Sequence, residues 1–129
     1  MIHLALVSNK INEQFATALK PYGISKQQFN VLRILRGQKG KPSNLCTINE
    51  RMVTKMSNTT RLVDKLITKG YVERSVCESN RRKVEILITE KGTTVLEKLD
   101  ATMENTENDI LGNFTNKELE EFNILLDKF

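Results

Sequence analysis

In the segment MSNTTRLVDKLITKGYVER, Asn58, Arg61 and Lys65 recur at three- and four-residue spacing, with Ser57, Thr60 and Asp64 beside them and Leu62, Leu66 and Ile67 between. On a helix, that spacing places the polar set on one outward stripe and the apolar set inside. The chemistry available to such a stripe is hydrogen bonding to base edges: Arg to guanine acceptors, Asn to adenine, and a Thr methyl against the thymine methyl. Arg61 is the first choice for base readout, with Asn58 and Thr60 second. Ser57 suits a helix cap, and the helix end behind it offers backbone N–H groups to a phosphate. Farther along, Arg81, Arg82 and Lys83 form a basic run whose side chains could reach a phosphate backbone or a narrow minor groove. Taken singly, each feature also fits a solvated surface, with Asp64 paired locally to Arg61 or Lys65.

These residues need elements to present them. From Ile2 to about Leu19, the residues Leu4, Val7, Ile11, Phe15, Ala18 and Leu19 form one apolar helical face, which Pro21 and Gly23 end. Ser25 can cap a second helix that carries Phe29, Leu32 and Leu35 and runs to Gly37. After the segment GQKGKPSNL, Ser43 is expected to cap a short helix with Leu45, Ile48 and Met52. A further helix is expected from Ser57 to Lys69, ended by Gly70. The period then changes: YVERSV, the polar turn SNRR and the β-branched run KVEILIT predict a hairpin over residues 71 to 89, with Arg81, Arg82 and Lys83 at its tip. A helix pair followed by a basic hairpin describes a winged helix-turn-helix. From Glu90 a long interrupted stripe leads through Val95, Leu96, Leu99, Met103, Ile110 and Leu111. Thr115 with Glu118 then resembles a capping box before Leu119, Phe122, Leu125, Leu126 and Phe129.

The chain has 129 residues, room for a single domain, with 20 basic and 16 acidic side chains. Their distribution says more than the total. Residues 1 to 92 hold 17 basic and 7 acidic side chains, whereas residues 93 to 129 hold 3 and 9. One part can approach a polyanion that the other would avoid. No apolar run approaches the roughly 20 residues of a membrane helix, and the amino end lacks a basic leader and cleavage site, so a cytoplasmic protein is expected. Cys46 and Cys77 cannot build a disulfide framework, and no Cys/His spacing around the single His3 suits zinc. No cofactor or metal is expected. An enzyme is not expected either: there is no His-supported nucleophile and no Gly-rich phosphate loop, and carboxylate pairs such as Glu104 and Glu107 are common helix-surface features.

The ordered combination INERM, SNTTRLVDKLITKGYVER and NRRKVEILITEKG resembles the MarR family of winged helix-turn-helix transcriptional regulators, over nearly the whole chain. The resemblance implies a mainly α fold with a small β-hairpin wing and terminal dimerisation helices. It implies one domain over 1–129, with the winged lobe at 24–92 and a helical dimerisation region at 1–22 and 93–129. It also implies that the helix Ser57 to Lys69 reads the major groove and that Arg82 enters the adjacent minor groove. The DNA-binding set is then Ser57, Asn58, Thr60, Arg61, Lys65, Arg81, Arg82 and Lys83. The family commonly carries an Asp two residues before its wing Arg; here Asn80 stands there, able to organise a turn but not to pair with a guanidinium.

The resemblance further implies a repressor that releases DNA when a small aromatic or oxidising signal binds. A homodimer would bury the apolar faces of the terminal helices and present two recognition helices to a pseudo-palindromic duplex. A crevice near Phe15, Tyr22, Phe29 and Met103 could hold the effector, but plain core packing is the preferred reading of those residues, and none is nominated as a ligand contact. Cys46 and Cys77 are weak redox candidates, since the oxidation-sensing branches place their cysteine in the first helix region, where this chain has none. The alternatives are a ligand-independent accessory or architectural DNA-binding protein, and a protein-interaction module that has lost DNA binding.

Overall fold

The computed structural model describes residues 1–52, 58–77 and 79–129, with the backbone alone at 77 and 80–83. Six helices and one hairpin follow in the order α1 (Ile2–Leu19), α2 (Lys26–Gly37), α3 (Leu45–Arg51), α4 (Thr59–Thr68), β1 (Val72–Cys77), β2 (Asn80–Ile88), α5 (Glu90–Leu111) and α6 (Asn116–Leu126). A short 3-10 turn, Lys20–Tyr22, joins α1 to α2 and ends at Gly23 in the left-handed conformation. The mainly helical fold with a two-stranded antiparallel wing is the architecture expected from the sequence.

The local signals that start these helices are side-chain caps. Ser25 Oγ accepts from Gln28 N while Gln28 Oε1 accepts from Ser25 N, a complete capping box for α2. Thr115 and Glu118 make the same reciprocal pair for α6. The cap of α3 is Asn44, whose Oδ1 accepts from Thr47 N at 2.8 Å, and not Ser43. Ser43 instead pairs by backbone with Ile86 on β2, at 2.9 and 2.7 Å, so the segment entering α3 is bound to the wing. An extended residue that exchanges two backbone hydrogen bonds with a strand is committed there, and the next residue becomes the cap.

The core lies where α2, α3, α4 and the hairpin meet α5. Val31, Leu32, Ile48, Val63, Leu66, Ile86, Leu96 and Leu99 are fully buried within it. Each such side chain contributes about 1.5–3 kcal/mol of burial free energy relative to exposure. Two glycines shape the junctions around it. Gly70, at φ 78°, closes α4 and turns the chain into β1. Gly92, in the first turn of α5, lies so near the hairpin that a Cβ there would sit 2.1 Å from the carbonyl oxygen of Tyr71. Thr89 fixes the same junction: its N–H donates to the Tyr71 carbonyl, its hydroxyl donates to the Gly70 carbonyl, and its Oγ1 accepts from Gly92 N.

Candidate nucleic-acid interface

The exposed face of α4 is set by what the helix buries. Thr59, Leu62, Val63 and Leu66 point inward, leaving Thr60, Arg61, Asp64, Lys65 and Thr68 exposed. Thr59 Oγ1 donates to Asn49 Oδ1 on α3 at 2.9 Å, which locks the start of α4 onto the preceding helix. Thr60, Arg61 and Lys65 therefore project together from a fixed support, in agreement with the spacing argument. Among the described residues Arg61 has no ion-pair partner.

Asn58 departs from that stripe. It occupies the N-cap position of α4 and is half-buried, its Oδ1 shielded from solvent; among the described residues its side chain makes no cap hydrogen bond and Oδ1 has no hydrogen-bond partner. The polar atom expected to face outward is thus turned toward the protein at the helix start. Ser57, expected as cap and phosphate contact, lies outside the described residues.

The wing departs from expectation in register. Val72 to Val76 pair with Ile88 to Val84, but Cys77 then pairs with Asn80. Arg81, Arg82 and Lys83 fall between those two pairings, as extra residues at the start of β2 and not at the hairpin tip. Bulged strands re-aim side chains and end pairing, so the basic run occupies an irregular part of the wing. Its side chains, and those of Asn80 and Cys77, lie outside the described part.

The structure also places a residue the sequence reasoning missed. Asp64 pairs neither with Arg61 nor with Lys65, as local spacing suggested, but with Arg74 on β1, Nη2 to Oδ1 at 2.5 Å. Helix-spacing rules reach three or four residues and could not show a partner ten positions on, across a turn. A second ion pair, this one bidentate, joins Arg36 on α2 to Asp100 on α5 and ties the central lobe to the long terminal helix.

Beside that pair a cavity of about 750 Å³ opens between α1, α2 and α5, walled by Phe15, Phe29, Met52 and Met103 with Arg33 and Arg36 at its polar side. Of the four residues named from the sequence near a possible crevice but assigned there to plain packing, Phe15, Phe29 and Met103 line it; Tyr22 does not, its hydroxyl lying 3.2 Å from Thr102 Oγ1. Cys46, a weak redox candidate from the sequence, is exposed on α3, 3.6 Å from Glu50 Oε1.

Residues 24–84, the segment from the start of α2 to β2, match the sequence model of the MarR family. That segment is similar to the MarR family, and the whole chain has the fold of its solved members. It is 29% identical over 126 residues to the HTH-type transcriptional regulator PecS of Dickeya dadantii, an alignment covering 95% of this chain and 75% of PecS. The fold is similar to that of a mutant MarR from E. coli complexed with operator DNA, with a TM-score of 0.82 at 24% identity over 97% of this chain and 89% of that one. It is equally similar to Bordetella bronchiseptica BpsR, whose DNA binding is regulated by 6-hydroxynicotinic acid, with a TM-score of 0.82 at 20% identity over 97% and 88%. The relatives and structural neighbours found are transcriptional regulators, not enzymes. Among the described residues no helix is long and apolar enough to cross a membrane.

Proposed function

We propose that this protein is a MarR-family regulator, a cytoplasmic homodimeric repressor that reads a pseudo-palindromic duplex with α4 and releases it when a small aromatic effector binds. The observation that carries this reading is the exposed Thr60, Arg61 and Lys65 face of α4, held by Thr59 against α3 and set beside a basic wing. In this reading Arg61 reads a guanine, Thr60 a neighbouring base, and Lys65 a phosphate. Ser57 and Asn58 stand at the helix start near the backbone, and Arg81, Arg82 and Lys83 follow the duplex past the wing. Residues 24–92 form the reading lobe, and 1–22 with 93–129 form the dimerisation region.

The terminal helices support the dimer. Leu6 on α1 is 61% exposed and Ile124 on α6 is 63% exposed, alongside Phe122, Leu125, Leu126 and Phe129. Apolar area of this extent at both chain ends is what a second copy would bury. Two-fold symmetry would then set the two α4 helices on successive major grooves, roughly 34–36 Å apart. The cavity between α1, α2 and α5 supports the effector: it has the size of a small-molecule site and spans the boundary between reading lobe and terminal helices. A ligand there acts by preferring the spacing that does not fit DNA.

The test is a salt-dependent titration with a duplex selected by the protein itself from a randomised library, with a scrambled duplex as control. Tight binding to the selected duplex at two protomers per site is expected. Equal binding to both duplexes would mean a non-specific architectural protein, and no binding at low salt would remove the DNA-reading role.

A further inference from the structure

The recognition helix α4 carries one acidic side chain, Asp64, in the midst of its exposed Thr60, Arg61 and Lys65. On a surface that meets phosphates this is a double liability. A bare carboxylate is repelled by the duplex, and it competes for the guanidinium three residues earlier, because Arg61 and Asp64 share a helix face. The structure answers both with one side chain from outside the helix. Arg74 on β1 donates from Nη2 to Asp64 Oδ1 at 2.5 Å, and Arg61 is left without an ion-pair partner among the described residues.

Stability does not account for this pair. Its side chains are 37% and 53% exposed, and ion pairs that wet contribute little to folding. Its geometry is nevertheless specific: the strand that carries Arg74 is held beside α4 by Tyr71 N donating to Leu66 O at 3.0 Å, so the guanidinium is delivered to the middle of the helix.

We infer that Arg74 is a positioning residue of the reading face, an internal counter-charge that occupies Asp64 and so leaves Arg61 free for the duplex. The inference rests on the DNA-reading role proposed above. Arg74 acts through Asp64 and places no charge of its own on a phosphate.

The full chain and three variants, Arg74→Ala, Asp64→Asn and the double substitution, are titrated against the duplex selected by the wild type, across a range of salt, with thermal melts to confirm folding. Arg74→Ala is expected to weaken the selected duplex by about tenfold, the scale of one lost base contact. Asp64→Asn is expected to bind at least as tightly as the wild type, and the double substitution to recover most of the loss, because the carboxylate that needed shielding is gone. A brace for the wing would be broken by any of the three, so the recovery separates the two roles. An Arg74→Ala protein that binds like the wild type overturns the inference. So does a double substitution that stays weak with its salt slope reduced by about 0.9, the mark of a lost phosphate contact. If Arg74→Ala does not fold, Asp64→Asn decides alone: a tenfold loss there overturns the inference, and unchanged or tighter binding upholds it. A wild type that selects no duplex fails the DNA-reading role itself, a result distinct from all of these.

Discussion

Helices α2 and α6 begin with the same local code and end in different environments. Each opens with a complete capping box, Ser25 with Gln28 in one and Thr115 with Glu118 in the other. Yet α2 buries Phe29, Val31, Leu32 and Leu35, while α6 has no buried residue and leaves Phe122 at 43%, Ile124 at 63% and Leu125 at 55% exposure. The difference teaches that capping decides where a helix starts, and tertiary partners decide whether its apolar face is used. The central lobe supplies its own partners: α3, α4 and the wing close around α2. Helix α6 finds no such partners, and α1 shows the same deficit, with Leu19 its single buried residue in eighteen. One region closes its core within the chain, and the other leaves an apolar face open, the face assigned above to the proposed dimer.

The largest effect that breaks this comparison should come from the shared core. Leu96 on α5 is fully buried, and Leu96→Ala should cost about 2–5 kcal/mol, through lost burial and the cavity left behind. Leu125→Ala on α6 should stay within about 0.5 kcal/mol in the dissociated protomer, as expected of a surface site. Urea unfolding at dilute concentration measures both. Equal costs would show that α6 is packed within its own chain.

The comparison sharpens when the protomers associate. Leu6→Asp combined with Ile124→Asp puts charges on the two exposed apolar faces and should shift the dimer toward monomer by about 2 kcal/mol or more, the scale of a central interface residue. Analytical ultracentrifugation reads the shift, and circular dichroism should show the helices of the central lobe intact. A dimer that persists unchanged would place the interface elsewhere.

A smaller effect separates two parts of the reading surface. Arg61→Ala should lose about 1–3 kcal/mol of discrimination between selected and altered duplexes. Arg82→Ala should weaken all duplexes together and lower the salt slope by about 0.9. Competition titrations at several salt concentrations distinguish these outcomes. Matching losses of discrimination in both variants would make the wing a second reader.

The sequence carried most of the element order because it is encoded locally. The spacing of Phe29, Leu32 and Leu35, the Thr115–Glu118 box and the terminator Gly70 each act within one helical turn of what they specify. The departures arise where a distant element intervenes. Ser43 had the right chemistry for a cap, but pairing with Ile86 took its backbone into the wing and left Asn44 to cap α3. Arg81 to Lys83 looked like a tip because SNRR is a good turn, whereas the register jump at Val76 and Cys77 moved the turn earlier. On the proposed reading face, the exposure of Thr60, Arg61 and Lys65 was legible from helix period. The partner of Asp64 was not, since Arg74 reaches it only after the chain has reversed direction.

The smallest effect tests the cap that α6 shares with α2. Glu118 accepts from the backbone N–H of Thr115 and from its side chain, and these hydrogen bonds hold its carboxyl below the ordinary value of 4.5. A carboxyl whose pKa is lower folded than unfolded contributes stability above the unfolded value and loses it as pH falls through the folded one. Glu118→Gln keeps the hydrogen-bond acceptor and removes the titration. Its stability should therefore fall less steeply in acid than that of the wild type, with the two curves converging once Glu118 is protonated. Urea unfolding across the acid range reads the difference. Parallel curves through that range would show that α6 starts without help from this carboxylate, and would leave the capping box of α2 as the one on which its helix depends.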